Sequence, residues 1–161
     1  MTTSITYTRT ERLTIDESKI NIDLVTIDDT NRPAKNFNLI LDTGAFITLI
    51  RKDRAQKNGY KIEKERACRI AGFSEKGLLC DLRRIPTAVF CGFRLDDIIV
   101  ATPHDDGIEV SEVLGMNIIE NFNLGLDLDE EQIYLNVRHN FVSQKPRYQC
   151  CKVSVINENE L

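Results

Sequence analysis

A chain of 161 residues with 42% hydrophobic and 29% charged residues matches one globular domain able to bury its own core, with no bias toward collagen, disorder or a membrane protein. Its formal charge of -4, from 21 basic and 25 acidic residues, gives no electrostatic footprint for wrapping a polyanion, so nucleic acid is set aside as a main partner. The five cysteines are odd in number and lack zinc-ribbon spacing, which sets a structural metal aside. With no signal-like amino terminus and no apolar run of bilayer length, the expectation is a cytoplasmic protein away from membranes, its thiols unbridged and mostly buried.

Residues 1–17 alternate weakly through Ile5 and Tyr7 and read as an edge strand or arm. Ile20 to Ile27 alternates apolar and polar residues at a period of two, the pattern of a half-buried strand. Asp28 to Pro33 is a turn cluster, and Phe37 to Leu41 is the return arm of the hairpin, running directly into Asp42-Thr43-Gly44-Ala45. Phe46 to Ile50 is rich in β-branched and apolar residues and predicts a strand leaving that turn. Arg51 to Asn58 has helix-forming composition, stopped by Asn58-Gly59, and the basic residues from Arg51 to Lys64 read as a solvated face.

Cys68 to Phe73 and Leu78 to Leu82 flank a polar tip and predict a projecting hairpin. Ile85 to Phe90 and Leu95 to Val100, separated by a turn at Gly92, form another antiparallel pair, followed by a loop from Pro103 to Gly107. Glu112 to Phe122 mixes a short strand into a short helix, and Leu124 to Leu128 with Gln132 to Leu135 makes a closing hairpin. From His139 the pattern weakens, with one last strand expected in Cys150 to Ile156. The sum is mainly β, with one or two short helices.

Leu39-Ile40-Leu41 ahead of Asp42-Thr43-Gly44-Ala45 places an acid where a buried strand enters a tight turn. Such a strand holds the carboxylate rigidly, Gly44 lets the backbone come close and donate its N–H, and Ala45 leaves the acid unobstructed. The triplet alone is a weak motif, since an Asp bonding its own backbone two residues on is an ordinary turn. The joint pattern is stronger. Residues 39–50, the apolar-apolar-Gly element Val113-Leu114-Gly115 with its short helix, and the intervening hairpin resemble the retropepsin-like aspartic proteases over roughly residues 18–136.

That resemblance implies a mainly β acid-protease fold, a small closed barrel-like lobe with a flap hairpin, in a catalytic domain at 18–138. Residues 139–161 would be a carboxy-terminal extension, with a dimer-interface strand as one reading. It implies an aspartic endopeptidase that needs no cofactor or metal and acts on polypeptides as a homodimer. Asp42 would be the catalytic carboxylate and Thr43, Gly44 and Ala45 its support. Thr43 would lock to its counterpart in the other subunit, and Ile70, Ala71, Gly72, Phe73 and Ser74 would form a flap over extended substrate. Gly115 would be the glycine of the second motif.

The chemistry needs two carboxylates sharing one proton around a water, and neither Asp105-Asp106-Gly107 nor Asp127-Leu128-Asp129 has the Thr-Gly or Ser-Gly turn of a second acid. The resemblance then implies that the partner acid comes from a second copy across a twofold axis. Ala45 in place of Ser implies activity at mildly acidic to neutral pH, since a serine hydroxyl would stabilise the ionised acid. The hairpin tip, charged at Glu75 and Lys76, departs from the family's apolar glycine-rich tip. His104 and His139 have no Ser or Cys in a nucleophile setting, and Cys150-Cys151 reads as one residue facing in and one out. The competing function is a catalytically silent dimer that binds extended peptide by β-addition or acts as a regulatory module.

Overall fold

The computed structural model describes residues 9–72, 75–138 and 152–155. Among them run β1 (Arg9–Arg12), β2 (Thr14–Asp16), β3 (Lys19–Ile27), β4 (Pro33–Leu41), α1 (Lys52–Lys57), β5 (Ile62–Ile70) and β6 (Leu78–Phe90). There follow β7 (Phe93–Pro103), β8 (Val113–Leu114), α2 (Met116–Ile119), β9 (Phe122–Asp127), β10 (Gln132–Val137) and β11 (Lys152–Val155). Ile5, Tyr7, Phe73, Ser74, His139, Cys150 and Cys151 lie outside the described residues.

The β3–β4 hairpin forms as its pattern demands. Ile22, Leu24 and Thr26 turn inward from β3, and Phe37 and Leu39 from β4, with Leu24 opposite Phe37. Asp28 closes the turn by accepting the Thr30 hydroxyl at 2.7 Å and the backbone N–H groups of Thr30 and Arg32 at 2.9 and 3.0 Å. β4 then delivers the chain to residue 42 beside β8, with Ile40 and Leu41 paired in parallel to Val113 and Leu114. β6 and β7 are joined through Cys91 and Gly92, at φ 49° and 78°, the left-handed pair that a two-residue hairpin turn requires.

The larger sheet runs β11-β7-β6-β3-β4-β8, with β2 on β3 and β5 on β6, and curls into a half-barrel. A three-stranded sheet, β1-β10-β9, completes the fold, and β11, within the 139–161 segment, pairs antiparallel with β7. The main core gathers Leu24, Phe37, Phe90, Phe93, Leu114 and Phe122 between the sheets. A second, smaller core of Ile47, Leu49, Leu78, Cys80, Leu82, Ile99 and Ala101 lies where the β5–β6 hairpin meets the segment after Asp42.

Three local expectations are corrected. Phe46 to Ile50 is not a regular strand: Leu49 alone bridges, to Ala101 on one side and Val113 on the other, because the Thr48 N–H is taken by the Asn117 side chain at 2.8 Å. Leu78–Leu82 and Ile85–Phe90 are one strand, β6. Arg83 continues it while nearly buried, its guanidinium donating to the Thr102 hydroxyl and the Tyr60 carbonyl. The basic face of α1 is not wholly solvated. Arg54 pairs with Glu112 and lies 4.2 Å from the Phe37 ring centre, fastening the helix to the approach of β8.

Candidate active site

Asp42 leaves β4 half-buried, and its backbone is fixed before its side chain is considered. Its N–H donates to the Leu114 carbonyl at 3.0 Å, its carbonyl accepts from Ala45 N–H at 3.2 Å, and the Ala45 carbonyl accepts from Met116 N–H at 2.7 Å. The turn is thus stapled at both ends to the β8–α2 junction. The carboxylate Oδ1 accepts the Gly44 N–H at 2.9 Å, and a Cβ at Gly44 would come within 3.2 Å of that oxygen. This is an Asx turn, and the same bond that shapes it also orients the acid.

Below the turn lies a buried polar network. Asn117 Oδ1 accepts both the backbone N–H and the hydroxyl of Thr48, at 2.8 and 2.9 Å, while its amide donates to the Ile99 carbonyl at 2.8 Å. Thr48 Oγ1 in turn accepts Gly115 N–H at 3.1 Å. Gly115 packs so closely that a Cβ there would meet the carbonyl carbon of Ile47 at 2.4 Å and its oxygen at 2.5 Å. The second motif is therefore a strand-to-helix bend that also seats the loop carrying Asp42. Asn117 and Thr48 were not singled out from the sequence; an Asn two residues after the motif glycine was the available signal.

Asp42 lines a cavity of about 540 Å³ together with Gly44 and Ala45 of its own turn and Ile70 and Ala71 of the β5–β6 hairpin. Among the described residues around it Asp42 is the one acid, while Lys19 and Arg69 contribute positive charge. Thr43 is exposed beside the cavity rather than lining it, and Gly72 stands at the exposed end of the hairpin. The arrangement brings the acid and the β5–β6 hairpin to one largely apolar space.

The base of that hairpin is anchored by a second network. Asp81, 2% exposed, accepts the Arg66 backbone N–H at 2.8 Å and pairs with His104 Nδ1 at 2.8 Å. Arg66 Nε donates to His104 Nε2 at 3.2 Å, which assigns the His104 proton to Nδ1. Arg66 sits at φ 45° where the β5–β6 register shifts, so this network fixes the bulge from which the hairpin projects.

No protein-family model matches the sequence, and no curated protein does. Among solved structures, a retropepsin-like aspartic protease from Rickettsia conorii superposes with a TM-score of 0.57 at 19% identity, covering 84% of this chain and 98% of that one. The EIAV protease complexed with the inhibitor HBY-793 aligns with a TM-score of 0.48 at 16% identity, over 65% of this chain and 88% of that one. The strand order, the hairpin over the Asp42 turn and the first of these superpositions agree, and the chain has the retropepsin-like fold.

Proposed function

We propose that the protein is an aspartic endopeptidase, active as a homodimer in which each subunit supplies one Asp42. The observation that carries this reading is the position of Asp42: held by Gly44 N–H, half-buried, and facing a cavity walled by the hairpin residues Ile70 and Ala71. A binding module would need the groove but not an acid fixed at its floor.

In the proposed dimer the two Asp42 carboxylates meet on the twofold axis and hold one proton between them, because like charges in contact cannot both ionise easily. A water lies between them. The ionised carboxylate removes a proton from this water as its oxygen attacks the peptide carbonyl carbon, and the protonated partner donates to the carbonyl oxygen. Transfer of a proton to the amide nitrogen then releases the amine. Gly44 N–H steadies the carboxylate throughout, Thr43 meets its counterpart across the axis, and the segment around Ile70 to Ser74 closes over extended substrate. Residues 18–138 form the catalytic unit, 1–17 an arm or edge strand, and 139–161 an extension, either a dimer-interface segment or a separate arm, whose described strand β11 pairs with β7 of the same chain.

The test is cleavage of a peptide library by the native protein and by Asp42→Asn, with sedimentation of both. The expected result is loss of at least about a thousandfold in kcat/KM with the dimer mass unchanged. Cleavage that persists in Asp42→Asn refutes the assignment, and peptide binding without cutting by the native protein favours the silent-dimer alternative.

A further inference from the structure

The β5–β6 hairpin carries a feature that peptide hydrolysis does not use. Cys68 on β5 and Cys80 on β6 stand directly opposite each other in the antiparallel register, and both are thiols. The Cys80 Sγ lies 3.6 Å from the Leu78 carbonyl oxygen. Facing residues of an antiparallel pair have Cα atoms about 4.5 or 5.5 Å apart, and both spacings fall inside the window of about 4.4–6.8 Å that a disulfide spans. The two sulfurs differ in access. Cys68 is partly open to solvent, whereas Cys80 is fully buried in the smaller core, two residues after Leu78, the cross-strand partner of cavity residue Ile70.

We propose that Cys68 and Cys80 are a peroxide-oxidised dithiol pair, a modification site whose disulfide fastens the two strands of the hairpin beside the Asp42 cavity. Cys68, the less buried of the two residues, attacks one oxygen of hydrogen peroxide; the O–O bond breaks, hydroxide leaves and becomes water on taking up the thiol proton, and Cys68 becomes a sulfenic acid. Cys80 then attacks the Cys68 sulfur, giving up its thiol proton as the S–O bond breaks and a second water leaves. Two thiols have lost two electrons, and one peroxide has become two waters. Hydrogen bonding to Cys68, then burial, pushes the Cys80 thiol pKa far up. Burial in the smaller core keeps Cys80 from meeting peroxide itself, so its reaction partner is the cysteine directly across the ladder. Cys91, in the turn after β6, is buried and, among the described residues, has no cysteine across the ladder.

The experiment treats the native protein with hydrogen peroxide, alkylates remaining thiols after unfolding, and maps cysteine-containing peptides by mass. The expected product is lighter by two hydrogens, links the Cys68 and Cys80 peptides, reverts with dithiothreitol, and shows slower amide exchange over Ala67 to Ile70. Cys68→Ser, a conservative change at a partly exposed site, is expected to slow Cys80 oxidation at least about tenfold. The proposal is overturned if Cys68 advances to sulfinic acid while Cys80 still alkylates, if both remain thiols, if the link joins other cysteines, or if Cys80 oxidises at the native rate in Cys68→Ser. None of these readings depends on peptide cleavage.

Discussion

Two glycines near the acid act through different neighbours, and their substitution separates folding from chemistry. At Gly115 an added methyl collides with the backbone of Ile47 and Thr48, which cannot move without displacing the Asp42 loop. Gly115→Ala is therefore expected to cost about 3 kcal/mol or more in urea unfolding, if it folds at all. At Gly44 the same methyl meets only the Asp42 carboxylate oxygen at 3.2 Å. Gly44→Ala is expected to unfold within about 1 kcal/mol of the native protein while losing most peptide cleavage. Equal stability losses at the two positions would contradict the roles given to them. The acid and its turn were legible because order matters there: apolar strand, acid, small residues. Asn117 was not legible, since a buried Asn that binds the Thr48 backbone, 69 residues earlier in the chain, looks like any polar residue of a short helix.

At the scale of elements, the hairpins were legible from alternation and turn residues, while the segment after Asp42 was not. Its β-branched composition predicts a strand, but tertiary context gives Thr48 N–H to a side chain and leaves one bridging residue. The β5–β6 hairpin was expected, its anchor was not, because Asp81, His104 and Arg66 converge only through a register shift that sequence spacing does not reveal. Asp81→Ala removes the acceptor of Arg66 N–H and the partner of His104. Amide exchange over Ala67 to Ile70 is expected to accelerate at least about tenfold, with unchanged exchange as the contrary result.

The β3–β4 turn makes a prediction about acid. The Thr30 hydroxyl first, then the Arg32 and Thr30 backbone N–H groups, hold the Asp28 carboxyl below its ordinary value of 3.8. A carboxyl depressed in the folded state contributes stability that is full above its unfolded pKa and lost as pH falls through the folded one. Between about pH 5 and pH 2 the native protein should lose more stability than Asp28→Ala, measured by urea midpoints, and parallel losses would remove Asp28 from the account.

For the whole molecule, curvature of the large sheet brings β4, β8 and the β5–β6 hairpin around one cavity, although their contributing residues span the chain from Lys19 to Val113. The mainly β architecture followed from the sequence pattern. The long path of β6, shared by β5, β7 and β3, did not, because Arg83 and Arg84 in its middle read as a break until their partners are placed. Among the described residues the cavity holds one acid, and for the proposed peptide hydrolysis one carboxylate cannot both accept and donate the protons.

That requirement is tested most directly by unfolding native and Asp42→Asn chains together, refolding them as a mixture, and measuring peptide cleavage against the native fraction. If each active unit needs Asp42 from both subunits, activity follows the square of that fraction, about one quarter at equal proportions. Activity proportional to the native fraction, about one half at the same point, would mean that a single chain cuts with its own Asp42 and would contradict the shared dyad.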